Sequence, residues 1–243
     1  MSELSTFSGA LSPEQRLKEA YARRDGKANG ERYSHFNPAG LFGVQSRERV
    51  LFRMLRRNGY TSFRDLKILD VGCGSGGMLR AFNRYGALPT NLFGIDLLLD
   101  RIQTAQLLSP QIDFHCANAE HLPFGDASFH LVSHFALFDA ILEQHVRQKV
   151  AQEMVRVVRG DGAIIWYDFR VNNPRNPDVR RIGRREIQAL FPECHIELAA
   201  TTLAPPLVRL VAPYSWVLAT VLENIPWLCT HYIGMIKPKR LTN

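Results

Sequence analysis

The chain has 243 residues, 46% of them hydrophobic and 22% charged, so it can bury the core of one large domain, and whole-chain disorder is excluded. Its four cysteines form no CxxC pair and have no histidine at zinc-ligand spacing. This excludes an obvious metal site or disulfide scaffold and favours a reduced, cytoplasmic protein. The formal net charge of +7 is compatible with nucleic acid, anionic lipid or an acidic substrate, but the basic residues are scattered, so a solvated basic surface is the simpler interpretation.

Residues 1–62 predict a helical extension that covers an acceptor site. Ser12, Pro13 and Gln15 have the types and spacing of a helix start. Residues 33–43, with Asn-Pro and two glycines, predict a loop. The apolar spacing of residues 44–58 predicts a helix that ends at Gly59. The first ten residues lack the basic and apolar regions of a signal peptide.

Residues 63–243 predict one domain in which strands and helices alternate. Short apolar segments predict strands at residues 67–71, 92–96, 112–116, 129–134 and 163–169. Segments with helical spacing separate these strands, and Gly-Asp-Gly at residues 160–162 predicts a turn before the fifth one. Such alternation is typical of a parallel sheet with helices on both faces.

The last sixty residues depart from this alternation. They predict helices at residues 184–191 and 214–222, and strands at residues 195–202 and 231–236. The complete prediction is a Rossmann-like α/β fold with a mostly parallel seven-stranded sheet, an antiparallel edge strand and helices on both faces. Prolines, Arg209 and Glu223 interrupt the longest apolar stretch, so we expect no transmembrane helix and at most weak contact with a membrane surface.

A glycine-rich segment follows the first predicted strand and opens a helix. Gly72, Gly74 and Gly77 have GxGxxG spacing, and Asp96 ends the next predicted strand. Glycines allow a tight turn with positive φ, close approach of a ligand and packing of the helix on the strand. A carboxylate at the second strand end can accept hydrogen bonds from both ribose hydroxyls. The combination therefore predicts a nucleoside-binding site.

The segment Leu-Asp-Val-Gly-Cys-Gly-Ser-Gly at residues 69–76 resembles motif I of class I, S-adenosylmethionine (SAM) dependent methyltransferases, of the type 11-like kind. Asp70, two positions before the first glycine, distinguishes it from a nicotinamide fingerprint, in which that position is usually apolar. Residues 94–96, 118–124, 126–132 and 153–162 resemble further motifs of the family. In them Asn118 replaces an aspartate expected to contact adenine, and His130 replaces another aspartate. An NAD-linked oxidoreductase is disfavoured by the same segments.

The resemblance implies that SAM, with S-adenosylhomocysteine as product, is the cofactor and that no metal is needed. A carboxylate at position 70 suits the ammonium group of its methionine part. The residues that the resemblance assigns to the cofactor site are Asp70, Gly72, Cys73, Gly74, Gly76, Asp96, Leu97, Asn118, Ala119, Glu120, His134 and Phe135.

Residues after the fourth and fifth strands should line the acceptor pocket, because ligands in this architecture lie beyond the carboxyl ends of the strands. His134 is a candidate general base, with a hydrogen-bonded structural histidine as the alternative, and Tyr167 is a second catalytic candidate. A base is optional, since the methyl group of SAM is already activated. The candidate acceptor-binding residues are Tyr33, His35, Asp168, Arg170, Asn172, Asn173 and Arg175. Asn172, Asn173 and Arg175 also fit the alternative of an Asn-Pro turn network that only fixes the loop.

Residues 172–177 and 203–206 are similar to those of bacterial methyltransferases of glycan or secondary-metabolite assembly. We therefore expect methyl transfer to a hydroxyl or amine of a secondary metabolite or of a sugar or glycan precursor. An RNA methyltransferase, motivated by the net charge, and a non-catalytic SAM-binding protein are the alternatives. The sequence shows no appended RNA-binding module, which disfavours the RNA methyltransferase. A monomer and a homodimer both remain open.

Overall fold

The computed structural model describes Glu19, Ser34 and residues 36–172 and 179–239. Its strands are β1 (Ile68–Val71), β2 (Leu92–Asp96), β3 (Asp113–Cys116), β4 (Phe129–Phe135), β5 (Val158–Phe169), β6 (Cys194–Leu203) and β7 (Cys229–Pro238). Its α-helices are α1 (Pro38–Arg57), α2 (Gly77–Arg84), α3 (Leu99–Leu108), α4 (Gln144–Val157), α5 (Arg184–Leu190), α6 (Pro205–Val211) and α7 (Trp216–Glu223). Two 3₁₀ turns lie at Pro89–Asn91 and Pro226–Leu228.

The seven strands form one sheet in the order β3-β2-β1-β4-β5-β7-β6, which confirms the predicted fold class. Strands β1 to β5 are parallel, and β7 lies antiparallel between β5 and β6. The antiparallel strand is thus one place inside the edge. The order reverses between β1 and β4, which opens a crevice at their carboxyl ends, where this class of sheet binds ligands.

Helices cover both faces of the sheet. On one face, which we call the α1 face, α1, α2 and α3 pack on side chains such as Ile68, Leu131, Ile165 and Tyr167. On the other, the α4 face, α4 and α5 pack on side chains such as Leu69, Val132, Ile164 and Trp166. Successive side chains of a strand point to opposite faces, so neighbouring residues of β4 and β5 are assigned to different sides of the sheet.

The predicted loop over residues 33–43 is wrong from Pro38 onward, because α1 begins there. Asn37 is its N-cap, and its side chain accepts hydrogen bonds from the amides of Ala39 (3.0 Å) and Gly40 (3.4 Å). Asn-Pro is here a helix start, with proline at the first helical position. The end of α1 is as predicted, with Gly59 in the left-handed region (φ 86°).

Strand β5 begins at Val158, earlier than predicted, but the predicted turn at residues 160–162 lies at an irregularity within it. Phe129 pairs with Val158 and Leu131 with Ala163, so four residues of β5 stand against one residue of β4. The space beside Gly162 is closed by the His130 carbonyl oxygen, 2.6 Å from where a Cβ would lie. This glycine permits close approach of β4 and β5. The prolines at 205 and 206, interpreted as interruptions, instead occupy the first turn of α6. No described helix is long and apolar enough to span a membrane.

Gly162→Ala should lower the free energy of unfolding by about 2 kcal/mol, because its methyl group would push apart two paired strands. Gly160→Ala is the matched control: it lies on the same strand, is exposed, and has no atom within 4 Å of an added Cβ. Chemical denaturation of both variants measures the difference. Equal stabilities would contradict the close approach described for Gly162.

Candidate active site

The glycine loop between β1 and α2 requires three glycines. Gly72, Gly74 and Gly76 have φ of 72°, 53° and 78°, in the left-handed region that favours glycine. A Cβ on Gly76 would lie 2.7 Å from Cζ of Phe114, and one on Gly72 would lie 2.8 Å from Cδ1 of Leu137. Gly77 has open space and an ordinary φ. The predicted need for a glycine at position 77 is therefore wrong, and Gly76 is the closely approached position.

Asp96 ends β2 directly beside this loop. Its Oδ2 accepts a hydrogen bond from the Gly74 amide (2.9 Å), and its Oδ1 accepts one from the Leu98 amide (3.0 Å). Burial raises the pKa of Asp96, while these two backbone hydrogen bonds lower it. A carboxylate offers about four acceptor sites. Two therefore remain for the hydroxyls of a ribose, although part of the carboxylate serves to hold the loop.

Asp70 is a buried carboxylate at the reversal of strand order, only 2% exposed. Its Oδ1 accepts a hydrogen bond from the Ser133 hydroxyl of β4 (2.7 Å). Burial raises the pKa of Asp70 to about 7, Ser133 lowers it, Asp96 raises it, and Arg47 lowers it. A cation bound next to Asp70 would relieve the cost of its buried charge.

The remaining predicted cofactor residues lie around the loop and the ends of β2 and β3. The Cys73 amide donates to the Ile95 carbonyl (2.8 Å), and Leu97 is half-buried after Asp96. Beyond β3, Asn118 is exposed, and its Oδ1 accepts from the amide of Glu120 (2.9 Å). Ala119 is half-buried between them. The sheet order therefore brings these positions to one edge, while their contacts with a cofactor stay a prediction.

His134 lies on the α4 face, away from Asp70 and Ser133. Its ring is fully buried, edge-on to Trp166 (centroids 4.3 Å apart) and next to Phe138 (4.8 Å). Neither ring nitrogen has a hydrogen-bond partner among the described residues, and the nearest carboxylate oxygen, on Asp168, is 3.9 Å away. Burial lowers the pKa of His134 to about 3, so the ring is neutral. This position does not favour His134 as a base or as a cofactor contact.

Asp168 and Arg170 have structural partners. Oδ2 of Asp168 accepts from the amides of Phe138 (2.9 Å) and Asp139 (3.2 Å), which fixes the loop after β4. Burial and the neighbouring Asp139 raise the pKa of Asp168. Arg170 donates to the carbonyls of Pro226 and Cys229. These contacts do not favour the predicted binding of an acceptor by either residue.

The other predicted acceptor residues follow the same edge of the sheet. Asn172 is exposed, and its Oδ1 accepts from the Arg181 amide (2.9 Å). That contact supports the alternative of a turn network. Tyr33, His35, Asn173 and Arg175 lie outside the described residues.

A group that we call the aromatic cluster, consisting of Arg47, Phe135, Tyr167 and His231, lies on the α1 face. The Tyr167 and His231 rings stack with centroids 4.6 Å apart at 9°. The Arg47 guanidinium carbon lies 5.4 Å from the centre of the Tyr167 ring and 5.6 Å from that of Phe135. Among the described residues, no carboxylate is within ion-pair distance of Arg47. The cluster thus combines apolar walls with one cation.

Hydrogen bonds and strained backbone fix this cluster. The Tyr167 hydroxyl shares a hydrogen bond with the Thr202 hydroxyl (2.8 Å), and the Tyr167 carbonyl accepts from the Ala136 amide (2.8 Å). Thr202 and Ala136 both have positive φ, 66° and 59°, which non-glycine residues rarely adopt. Burial and Arg47 lower the pKa of His231 to about 3, so its ring is neutral.

Sequence reasoning missed Arg47, Ser133 and His231. Arg47 belongs to no motif in the sequence. Its place beside Phe135 and Tyr167 follows from the packing of α1 on β6 and β7. Ser133 could have been found from strand alternation, since it faces the same side as the neighbouring strand's Asp70.

Comparisons with known proteins find sequence similarity to methyltransferases. Residues 69–166 match the family described as "Methyltransferase domain". The chain is 31% identical over 151 residues to a demethylmenaquinone methyltransferase of Chlorobaculum parvum, a match that covers 62% of this chain and 59% of the relative. It is 34% identical over 137 residues to a phthiotriol/phenolphthiotriol dimycocerosates methyltransferase of Mycobacterium tuberculosis, covering 51% and 48% of the two chains. The chain thus spans about half to three fifths of the length of these relatives.

The fold is also similar to that of a putative methyltransferase of Haloferax volcanii, solved in complex with its Trm112 activator. The TM-score is 0.61 at 18% identity, and the alignment covers 95% of this chain and 100% of the other. At this identity the likeness concerns the fold alone.

Gly76→Ala should weaken SAM binding about tenfold or more, because a left-handed residue with a side chain is strained and its Cβ would meet the Phe114 ring. Gly77→Ala, the neighbouring position with open space, should bind with affinity close to that of the wild type. Calorimetric titration with SAM measures both. A loss that is larger for Gly77→Ala would show that the loop is built differently.

SAM affinity should fall as the pH drops below about 7, by up to about tenfold per pH unit, since Asp70 must be ionised to pair with the ammonium group. Below its raised pKa, Asp70 is protonated in the free protein, so binding releases a proton. Just above pH 7.5 the affinity should level off, as the carboxylate is ionised, and it should fall again at the alkaline pH at which the ammonium group of SAM loses its own proton. Calorimetry in two buffers of different ionisation enthalpy measures the released proton.

Asp70→Asn should bind SAM more weakly and lose the dependence on pH over this range. Asp113→Asn, which changes an exposed carboxylate on β3, should keep the wild-type profile. A profile that persists in Asp70→Asn would assign the titration to another group.

Proposed function

We propose that this chain, whose residues 69–166 form a class I SAM-dependent methyltransferase domain, methylates a small, largely apolar acceptor that carries an ionisable hydroxyl group. The observation that carries the proposal is the position of Arg47 over the rings of Phe135 and Tyr167. Asp70 lies on the same face of the sheet and feels the charge of Arg47.

The residues at the crevice fit SAM. A glycine loop that leaves no room for a Cβ at Gly72 or Gly76 permits close approach of a ligand, and Asp96 retains acceptor sites for a ribose. The buried Asp70 suits an ammonium group. When bound, SAM supplies a methyl group already activated on a positively charged sulfur. The protein then has to hold the acceptor in line, exclude water and set the charge of the nucleophile.

Arg47 would set that charge. A guanidinium in partly desolvated surroundings stabilises a nearby anion more than it would in water, and so lowers the pKa of a hydroxyl bound next to it. An acceptor hydroxyl would thereby lose its proton to solvent without a protein base. The anion could react at oxygen, or at a conjugated carbon if the acceptor is an aromatic or enolic ring. This proposal replaces His134 as the activating group and leaves Tyr167 as a wall of the pocket.

The apolar walls decide between acceptor classes. The half-buried Phe135 ring and the buried, stacked rings of Tyr167 and His231 make the surroundings of Arg47 apolar, with few donors for a polyhydroxylated sugar. The relatives named for a quinone precursor and for a lipid support the same class. Of the two acceptor classes expected from the sequence, a secondary metabolite stays compatible with these surroundings, and a sugar or glycan precursor is less well matched to them.

Transfer of labelled methyl from SAM tests the function. We expect incorporation into detergent-dispersed, hydroxylated apolar probes, such as a reduced naphthoquinone with a short isoprenoid chain, and none into nucleotide sugars or transfer RNA. Labelling of RNA would favour the RNA methyltransferase, and SAM binding without turnover on any probe would favour a non-catalytic protein. Either result would contradict the proposal.

Replacing Arg47 tests its role within the same assay. Arg47→Met should lower turnover about 100-fold, because the developing negative charge loses its cation, while Arg47→Lys should retain much of the activity. The rate of Arg47→Met should recover at higher pH as the acceptor hydroxyl ionises unaided. Arg185→Met, which changes an exposed arginine of α5, is the control and should be fully active. SAM affinity is compared at about pH 8, where Asp70 is ionised. A loss of SAM affinity as large as the loss of turnover would contradict a role toward the acceptor.

A further inference from the structure

The loop between β4 and α4, residues 136–143, which we call the β4 loop, lies against the glycine loop through its second residue. The Cδ1, Cγ and Cβ atoms of Leu137 are 2.8, 3.4 and 3.5 Å from the place that a Cβ on Gly72 would occupy. Gly72 directly follows β1, and the strand order reverses between β1 and β4. The position of Leu137 therefore sets how closely the two loops approach each other at the crevice.

The end of β5 holds the backbone of the β4 loop on both sides of Leu137. Before it, the Ala136 amide donates a hydrogen bond to the carbonyl of Tyr167 (2.8 Å). After it, the amides of residues 138 and 139 donate to Oδ2 of Asp168 (2.9 Å and 3.2 Å). One carboxylate oxygen thus binds two consecutive amides of the loop, and it does so from a strand that is distant in sequence.

Two fully buried charged side chains hold the β4 loop. Asp168 is 1% exposed, and Arg147 of α4 is 0% exposed. The Arg147 Nε donates to the carbonyl of Ile141 in the same loop (2.6 Å), and its Nη1 donates to Glu186 of α5 (2.5 Å). Burial of a charged group is costly even when it is hydrogen-bonded, and uncharged capping side chains can fix a loop at lower cost. We attribute the two buried charges to a loop that has to keep one geometry next to the crevice.

The surroundings of Asp168 are apolar, so water is a poor substitute for its carboxylate. The neighbouring Phe138 side chain is fully buried, and its ring packs on Trp166 and His134, each with centroids 4.8 Å away. Buried backbone amides need a hydrogen-bond partner. Without the carboxylate, the two loop amides would have to move to find another acceptor, and Leu137 would move with them.

We propose that Asp168 is a positioning residue of the cofactor site, which holds the β4 loop so that Leu137 keeps its place against Gly72. The carboxylate acts through the backbone and contacts neither the cofactor nor the acceptor. It gives the crevice its shape before SAM binds, so less ordering is needed on binding. The proposal concerns the binding of SAM, and it is independent of the acceptor and of Arg47.

Replacement of Asp168 tests the proposal by calorimetric titration with SAM. Asp168→Ala should weaken binding about tenfold, because the loop amides lose their acceptor. Asp168→Asn should stay within about threefold of the wild type, since its amide oxygen can still accept from both of them. Gly162→Ala is the matched control: it lies near the other end of β5, should be destabilised and should keep the wild-type SAM affinity. Wild-type affinity in Asp168→Ala, or an equal loss in Gly162→Ala, would overturn the proposal.

A double-mutant cycle with Leu137 tests the route of the effect. Leu137→Ala should itself weaken SAM binding several-fold, and Asp168→Ala should add little in that background, because both changes remove the same contact. Losses that multiply would show that Asp168 acts on the cofactor by another route, which contradicts the proposal.

Hydrogen exchange of the wild type needs no variant to fold. The amides of residues 138 and 139 should exchange slowly without SAM, and SAM should change their rates little, because Asp168 already binds them. Fast exchange that becomes slow only with SAM would overturn the proposal, since the ligand would then order the loop. Failure of methyl transfer to every probe, with these binding results as expected, would reject only the proposed function.

Discussion

Everything at this site depends on which face of the sheet each side chain takes at the carboxyl ends of β1, β4 and β5. Alternation along the strands places Asp70, Ser133, Phe135 and Tyr167 on the α1 face. It places His134 and Trp166 on the α4 face, where they are packed and dry. Because the side-chain period of a strand is two residues, one step along β4 exchanges a candidate catalytic group for a core residue. The side chains that could contact a ligand at the ends of these strands therefore lie on the α1 face.

The α1 face carries two opposite charges near the crevice, those of Asp70 and Arg47. A carboxylate buried at Asp70 is costly unless a cation approaches it, and Ser133 provides only one hydrogen bond. Arg47 supplies positive potential from α1, near enough to act on both Asp70 and His231. A bound ammonium group would complete the balance at Asp70, which leaves Arg47 available to an anionic acceptor. In the proposed function, cofactor binding and acceptor activation would both depend on this one electrostatic arrangement.

The sequence was sufficient for the parts that local rules determine. The bounds of strand β2, the place of the glycine loop and the presence of an antiparallel strand among the late strands agree with the prediction. Other features were decided by packing between distant segments. The role of Gly162 depends on the His130 carbonyl of the neighbouring strand, and the identity of the closely packed glycine, Gly76 and not Gly77, depends on Phe114. The face of His134 follows from the alternation of side chains along β4, but its position near the end of that strand favoured a catalytic role in the sequence-based prediction.

Arg47 could not have been found in this way, since it precedes the recognisable motifs and reaches the crevice only through the packing of α1 on β6 and β7. The apolar segment between these strands was noticed in the sequence, but only the structure showed that its inner and outer sides are both apolar. That segment and α1 pack against each other, with the Phe42 ring on Trp216. They are the parts in which the acceptor preference of this chain should reside.

A crystal structure with S-adenosylhomocysteine and the wild-type protein tests the central claim most directly. We expect the ammonium group within hydrogen-bond distance of Asp70 and the sulfur facing Arg47, Phe135 and Tyr167 on the α1 face. A sulfur that faced His134 and Trp166, or a ligand bound away from the glycine loop, would contradict it.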